Sequence, residues 1–166
     1  MKEKGIDLYL DAAKAIGEKY DNVRFHICGR CDDESYIDVL RRAEQTGKVQ
    51  YHGEQKNMRA FVEMADCIVH PSYYPEGMSN VLLEGAAGAR PLIATDRSGC
   101  REIVEDGVTG YVVPCRQLQP LVDAIESFLA LSREAREAMG KAGRAKVERE
   151  FDRQIVVDAY MKELKA

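Results

Sequence analysis

Apolar positions along this chain recur first at helical and then at strand spacing, and that alternation is its most legible feature. From Gly5 to Tyr20, residues Ile6, Leu8, Tyr9, Leu10, Ala12, Ala13 and Ile16 form a mostly helical stripe. Asn22 to Cys28 switches to β-favouring residues and stops at Gly29. Asp32, Asp33 and Glu34 suit a helix start, and Tyr36, Ile37, Val39, Leu40 and Ala43 supply its apolar face up to Thr46 and Gly47. Strands are predicted at Lys48 to His52 and Cys67 to His70, with a short helix around Met58 to Met64 between them. A helix over Asn80 to Ala87, strands at Pro91 to Thr95 and Tyr111 to Val113, and three helices over 117–131, 133–150 and 153–164 complete the pattern.

Strands alternating with helices imply parallel connections with helices on both faces, so the expected fold is α/β, a Rossmann-like doubly wound parallel sheet. Ligands of such sheets bind beyond the carboxyl ends of the strands. Those ends carry Gly29, Gly53 and the segment from Ser72 to Asn80.

The last segment is the richest in chemistry. Ser79 or Asn80 is the expected helix cap, and the exposed amides of the helix start favour an anion. Gly77 lacks the side chain that would hold a phosphate away. Glu84 stands about five residues beyond Ser79, roughly 7.5 Å along a helix axis. With Glu76 in the preceding turn, two carboxylates can accept hydrogen bonds from a hydroxyl-rich ligand that also carries an anionic part. A nucleotide sugar has both parts.

Composition narrows the classes. The 166 residues are 45% hydrophobic and carry a net charge of −4, which suits one globular domain over 1–166 and argues against a nucleic-acid partner. No apolar run approaches the roughly 20 residues needed to cross a bilayer, and the first residues lack a signal-peptide core, so a cytoplasmic location is expected. Five scattered cysteines fit reduced thiols.

Together, Lys4-Gly5, the strand ending at Gly29, Tyr51-His52-Gly53, Met64-Ala65-Asp66, Pro71-Ser72, Glu76 to Glu84 and Gly88 to Thr95 resemble the donor domain of family 4 glycosyltransferases. The spacing of Glu76 and Glu84 is the strongest element, and Arg90 to Asp96 and Arg101 to Gly107 follow in the family's order. The resemblance spans nearly the whole chain. It implies the carboxyl-terminal half of a GT-B enzyme, without the amino-terminal acceptor domain and without a strand bearing a phosphate-binding arginine that in the family precedes Lys4. An isolated half of this kind is expected to be inactive, and its sheet one strand short, with an open edge.

By this resemblance Lys4 contacts the donor diphosphate as it leaves, offsetting developing charge. Gly77, Met78, Ser79, Asn80 and Val81 contact the donor phosphates and sugar. Glu84 accepts from the ribose hydroxyls and Glu76 meets the transferred sugar. The implied reaction is metal-independent transfer of a hexose or N-acetylhexosamine-type sugar from a nucleoside diphosphate donor to an acceptor hydroxyl, with retention. A uridine diphosphate sugar is the preferred donor, and it is a substrate rather than a cofactor. The implied acceptor is a saccharide, lipid-linked in some relatives, in bacterial surface polysaccharide synthesis, with the full enzyme peripheral at the cytoplasmic face of the membrane.

Other readings compete. A nucleotide-binding or regulatory module could keep the fold without transfer. Asp-x-Asp is absent, and the adjacent Asp32 and Asp33 read as a helix start rather than a metal bridge. Retaining glycosidases also use paired carboxylates, but across a glycosidic bond and without a nucleotide crevice. Cys28 and Cys31 form C-x-x-C, which raises a redox site, and His26, His52 and His70 near three strand ends raise a zinc site. Buried thiols and crevice-lining histidines are the plainer alternatives. The basic residues of the last helices interleave with glutamates and read as a solvated, salt-bridged surface.

Overall fold

The structure, a computed structural model, describes residues 2–75 and 77–164. A 3₁₀ turn at Lys2–Lys4 leads into α1 (Ile6–Lys19), whose buried Ile6, Ala12, Ala13 and Ile16 fall at helical spacing and so on one face. The chain continues through β1 (Phe25–Ile27), α2 (Ser35–Glu44), β2 (Val49–Tyr51), α3 (Met58–Met64), β3 (Ile68–His70) and α4 (Asn80–Ala87). It closes with β4 (Leu92–Thr95), β5 (Gly110–Val113), α5 (Leu118–Ala130), α6 (Arg133–Glu150) and α7 (Arg153–Glu163). The predicted elements are all present, with β1 to β4 trimmed at their ends and β5 starting one residue earlier than predicted, at Gly110.

All strand pairings are parallel. β4 is the centre: it pairs β3 on one side and β5 on the other, and every one of its residues is buried. Alternation along β4 splits the core into two layers. Ile93 faces a cluster with Ala12, Ile16, Leu40, Leu121, Ile125 and Phe128, built mainly by α1, α2 and α5. Leu92 and Ala94 face a second cluster with Leu82, Ala86, Ile103 and Val147, built by α4, α6 and the loop after β4. A central strand buried on both sides by helices is the doubly wound arrangement.

Among the described residues the parallel strands pair in two ladders, β1-β2 and β3-β4-β5, and both sets share the first core. The Phe25 amide and Ile27 carbonyl bond to residues flanking β2, so the His26 carbonyl points to the other side, where the Tyr9 hydroxyl donates to it at 3.1 Å. Among the described residues, a side chain rather than a strand meets that carbonyl.

Two local features aim the ligand edge. Tyr73 and Tyr74, just past β3, donate backbone amides to the Glu3 carbonyl at 2.9 and 3.1 Å, which ties the 3₁₀ turn to the end of β3. Asn57 caps α3, its side chain accepting from the Ala60 amide at 3.4 Å. Because that bond is long, Asn57→Ala should lower unfolding stability by only about 0.5–1 kcal/mol. Urea unfolding would check this; a loss above about 2 kcal/mol would mean the side chain does more than cap.

Candidate functional site

Gly29 and Gly53 follow β1 and β2, and the Gly29 amide donates to the Gly53 carbonyl at 2.8 Å, so the two loops meet. Both have positive φ, 142° and 65°, and a Cβ on either would touch nothing within 4 Å. Backbone conformation therefore accounts for these glycines. Gly77 differs. Its φ is not positive and a Cβ there would also enter open space, so neither strain nor crowding within the fold requires glycine. What the missing side chain leaves free is room beside the start of α4.

Among the described residues, that start is unsatisfied. Ser79 occupies the cap position, with its own amide donating to the Gly99 carbonyl at 2.9 Å, but its hydroxyl makes no capping bond. The Ser79 Oγ is buried and without a partner among the described residues. Buried polar atoms are rarely left so, because desolvation is uncompensated. The first amides of α4 and this hydroxyl form a set of donors beside Gly77, where an anion would complete them.

The buried face of α4 is Leu82, Gly85 and Ala86; Asn80, Val81 and Glu84 stand on its exposed face. Residues three and four apart share a helix face, so the Glu84 carboxylate lies one turn beyond the donor set. Met78 is partly open, at 39% exposure. Ser72 is fully buried: its hydroxyl donates to the Glu3 carbonyl at 3.4 Å and accepts from the Tyr74 amide at 3.3 Å, while the Thr95 hydroxyl donates to its carbonyl. Its visible work is joining the ends of β3 and β4 to the 3₁₀ turn. Lys4, at the end of that turn, is exposed, with Nζ 4.8 Å from the centre of the Tyr74 ring. Glu76, the other expected carboxylate, lies outside the described residues.

The structure thus brings Lys4, Ser72 and the Gly77 to Glu84 stretch to the edge around β3, and Gly29 with Gly53 to the edge of β1 and β2. Tyr73 and Tyr74 were not singled out in the sequence. Their place directly after a strand end was the available signal.

The three histidines do not converge. His26 Nδ1 and His52 Nε2 lie 2.9 Å apart with their rings stacked, and Phe61 packs edge-on against His52; His70 is buried separately in β3. Among the described residues no group of three or more His, Cys, Asp or Glu could hold a metal ion. All five cysteines are free thiols. Burial pushes the Cys28 thiol up from its ordinary value and raises that of Cys67 further, the opposite of what a redox nucleophile requires.

Burial, and then the neighbouring His52, hold His26 below its ordinary value of 6.5. A depressed histidine favours unfolding on the acid side, since the unfolded chain takes a proton that the folded chain resists. Stability should therefore fall as pH drops below about 6.5, and His26→Asn should flatten that fall. Urea midpoints at about pH 7.5 and about pH 5.5 would test it. An equal acid loss in the variant would exclude this pair as its source.

No helix among the described residues is long and apolar enough to cross a membrane.

Known proteins agree with this architecture. The chain is 29% identical over 163 residues to the phosphatidyl-myo-inositol mannosyltransferase of Mycobacterium leprae, covering 96% of this chain and 42% of that protein. Anabaena Alr3699/HepE, solved in complex with UDP, superposes with a TM-score of 0.87 at 20% identity, over 99% of this chain and 46% of that one. The C-terminal domain of a group 1 glycosyl transferase, LpcC of Francisella tularensis, superposes with a TM-score of 0.79 at 22% identity, over 91% of this chain and 81% of that one. The chain spans less than half the length of the first two proteins. The family profile for glycosyl transferases group 1 matches residues 1–146, and the chain belongs to that family.

Proposed function

We propose that this chain is the carboxyl-terminal, donor-binding domain of a retaining, metal-independent GT-B glycosyltransferase of family 4, and that its donor is a uridine diphosphate sugar. The observation that carries this reading is the start of α4: unsatisfied donors at Ser79, open space at Gly77 and an exposed carboxylate at Glu84 one turn later. These match two parts of a nucleotide sugar, with the diphosphate on the amides and the ribose on Glu84. The UDP bound to Alr3699/HepE supports the nucleotide, and the separately solved LpcC domain supports the placement in the carboxyl half.

In the proposed step the bond between the anomeric carbon and the β-phosphate oxygen breaks, and a bond from that carbon to the acceptor oxygen forms. The acceptor hydroxyl's proton passes to the departing diphosphate. Lys4 and the α4 amides carry the charge gathering on that leaving group, an effect that grows towards the transition state. Glu76 would hold the sugar. The acceptor is proposed to be a saccharide, with the full enzyme cytoplasmic and peripheral at the membrane in surface polysaccharide synthesis.

Calorimetric titration of the chain with UDP, GDP and ADP tests the reading. UDP should bind, and more tightly than the other two. Absence of binding by all three would reject a donor domain, and preference for GDP or ADP would reject the uridine assignment alone.

A further inference from the structure

The donor set at the start of α4 leans on a turn from another part of the chain. Ser79, the cap residue, gives its amide to the Gly99 carbonyl at 2.9 Å. Gly99 is buried and stands at φ 85° in the turn that follows β4. Beyond Gly99 that turn is well anchored. Cys100 and Ile103 are fully buried in the second core with Leu82 and Ala86 of α4, and the Cys100 and Arg101 amides both donate to the Arg97 carbonyl at 3.0 Å. Gly99 itself has no side chain to pack and little steric barrier to rotation, so it cannot fix its own peptide planes.

Glu102 supplies that constraint. Its Oε2 accepts the Gly99 amide at 2.7 Å, reaching back along the chain as the glutamate of a capping box does. Arg101 Nε stands 3.6 Å from the other carboxylate oxygen, and Arg101 is itself tied to Asp96 at 3.0 Å. Hydrogen bonds from its own backbone amide and from that of Gly99, with the charge of Arg101, hold the Glu102 carboxyl below its ordinary value against some desolvation. It is therefore an anion at neutral pH and only accepts. The peptide groups on either side of the Gly99 α-carbon are thus both fixed, one by Glu102 through the amide and the other by Ser79 through the carbonyl. With the Ser79 amide occupied, the Ser79 hydroxyl and the first amides of α4, which a helix leaves without internal partners, remain for an anion.

We infer that Glu102 is a positioning residue of the donor site: by holding Gly99 it sets the place of Ser79, and with it the direction of the donors that receive the diphosphate. Donors placed in advance are effective because nothing has to reorganise when the anion arrives. Glu102 acts through Gly99 rather than on the ligand. The role in binding rests on the donor-site reading, whereas the linkage from Glu102 through Gly99 to Ser79 is present in the protein without ligand.

Amide hydrogen exchange and calorimetry on Glu102→Ala and Glu102→Gln test this. Glutamine keeps an oxygen that accepts the Gly99 amide, and alanine keeps none. In the ligand-free protein, exchange at Ser79 and Gly99 should quicken about tenfold or more in Glu102→Ala and about threefold in Glu102→Gln, with the amides of β4 changing less. UDP affinity should fall about tenfold in the first variant and about threefold in the second, while uridine, which lacks the diphosphate, binds all three proteins within about twofold. A general loss of stability would instead quicken exchange throughout the sheet and weaken both ligands alike. Unchanged exchange at Ser79, equal behaviour of the two variants, or a loss of uridine affinity as large as that of UDP would overturn the proposal. Should Glu102→Ala not fold, Glu102→Gln is read against the parent by the same measures, and an unchanged Ser79 amide again overturns it. Failure of the parent to bind UDP would overturn the donor reading, and exchange at Ser79 would still decide whether Glu102 holds the turn.

Discussion

Gly5→Ala is expected to destabilise the fold by about 3 kcal/mol or more and to weaken nucleotide binding with it. Two effects add. Gly5 sits at φ 78°, where a Cβ costs about 1–2 kcal/mol. The Cβ would also stand 2.2 Å from the Pro71 carbonyl oxygen, a backbone atom, so the chain itself must move. Pro71 directly follows β3, and this junction seats the 3₁₀ turn carrying Lys4 against Ser72, Tyr73 and Tyr74. Displacing it shifts Lys4 relative to the start of α4. Gly47→Ala is the control: its φ is 69° but a Cβ meets nothing within 4 Å, so only the backbone cost of about 1 kcal/mol should appear. Urea unfolding of both variants separates strain from clash. Equal losses would show that the Pro71 contact yields without cost.

Glu84→Gln should leave stability within about 0.5 kcal/mol of the parent while reducing UDP affinity roughly 10- to 100-fold. The carboxylate is exposed and forms no hydrogen bond or ion pair among the described residues, so folding does not depend on it. In the proposed complex it accepts two ribose hydroxyls as an anion, and charge-assisted bonds are about twice as strong as neutral ones. The amide keeps the shape but presents one oxygen and an NH₂ group that donates towards donors. Calorimetry of UDP against both proteins, with thermal unfolding alongside, gives the comparison. A variant that binds UDP as the parent does would remove Glu84 from the ribose role.

Much of the architecture was legible before any coordinates, for reasons that particular elements make plain. The helical stripe from Ile6 to Ile16 and the fully apolar run of Leu92, Ile93 and Ala94 each have one economical way to be buried. Gly77 to Glu84 could be placed at a strand's carboxyl edge because the turn residues after His70 and the helix from Asn80 leave little freedom between them. The break between β1 and β3 was not legible, since strand order depends on edges that no local pattern encodes. Nor was the absent cap at Ser79. Serine at that position ordinarily caps, yet its hydroxyl has no partner among the described residues while its backbone amide donates to Gly99.

By itself, then, the sequence determined the alternating α/β class, the family likeness and the chemistry collected between Ser72 and Glu84, because burial periodicity, turn residues and motif spacing are local properties of a chain. Tertiary structure decided which of those groups meet. His26 stacks on His52 across two strands, Gly5 abuts Pro71, and Arg116 crosses the end of β4 to reach Tyr73. Each of these is a contact between segments distant in sequence, set by strand order and by the packing of helices on both faces of the sheet, and no local spacing specifies it.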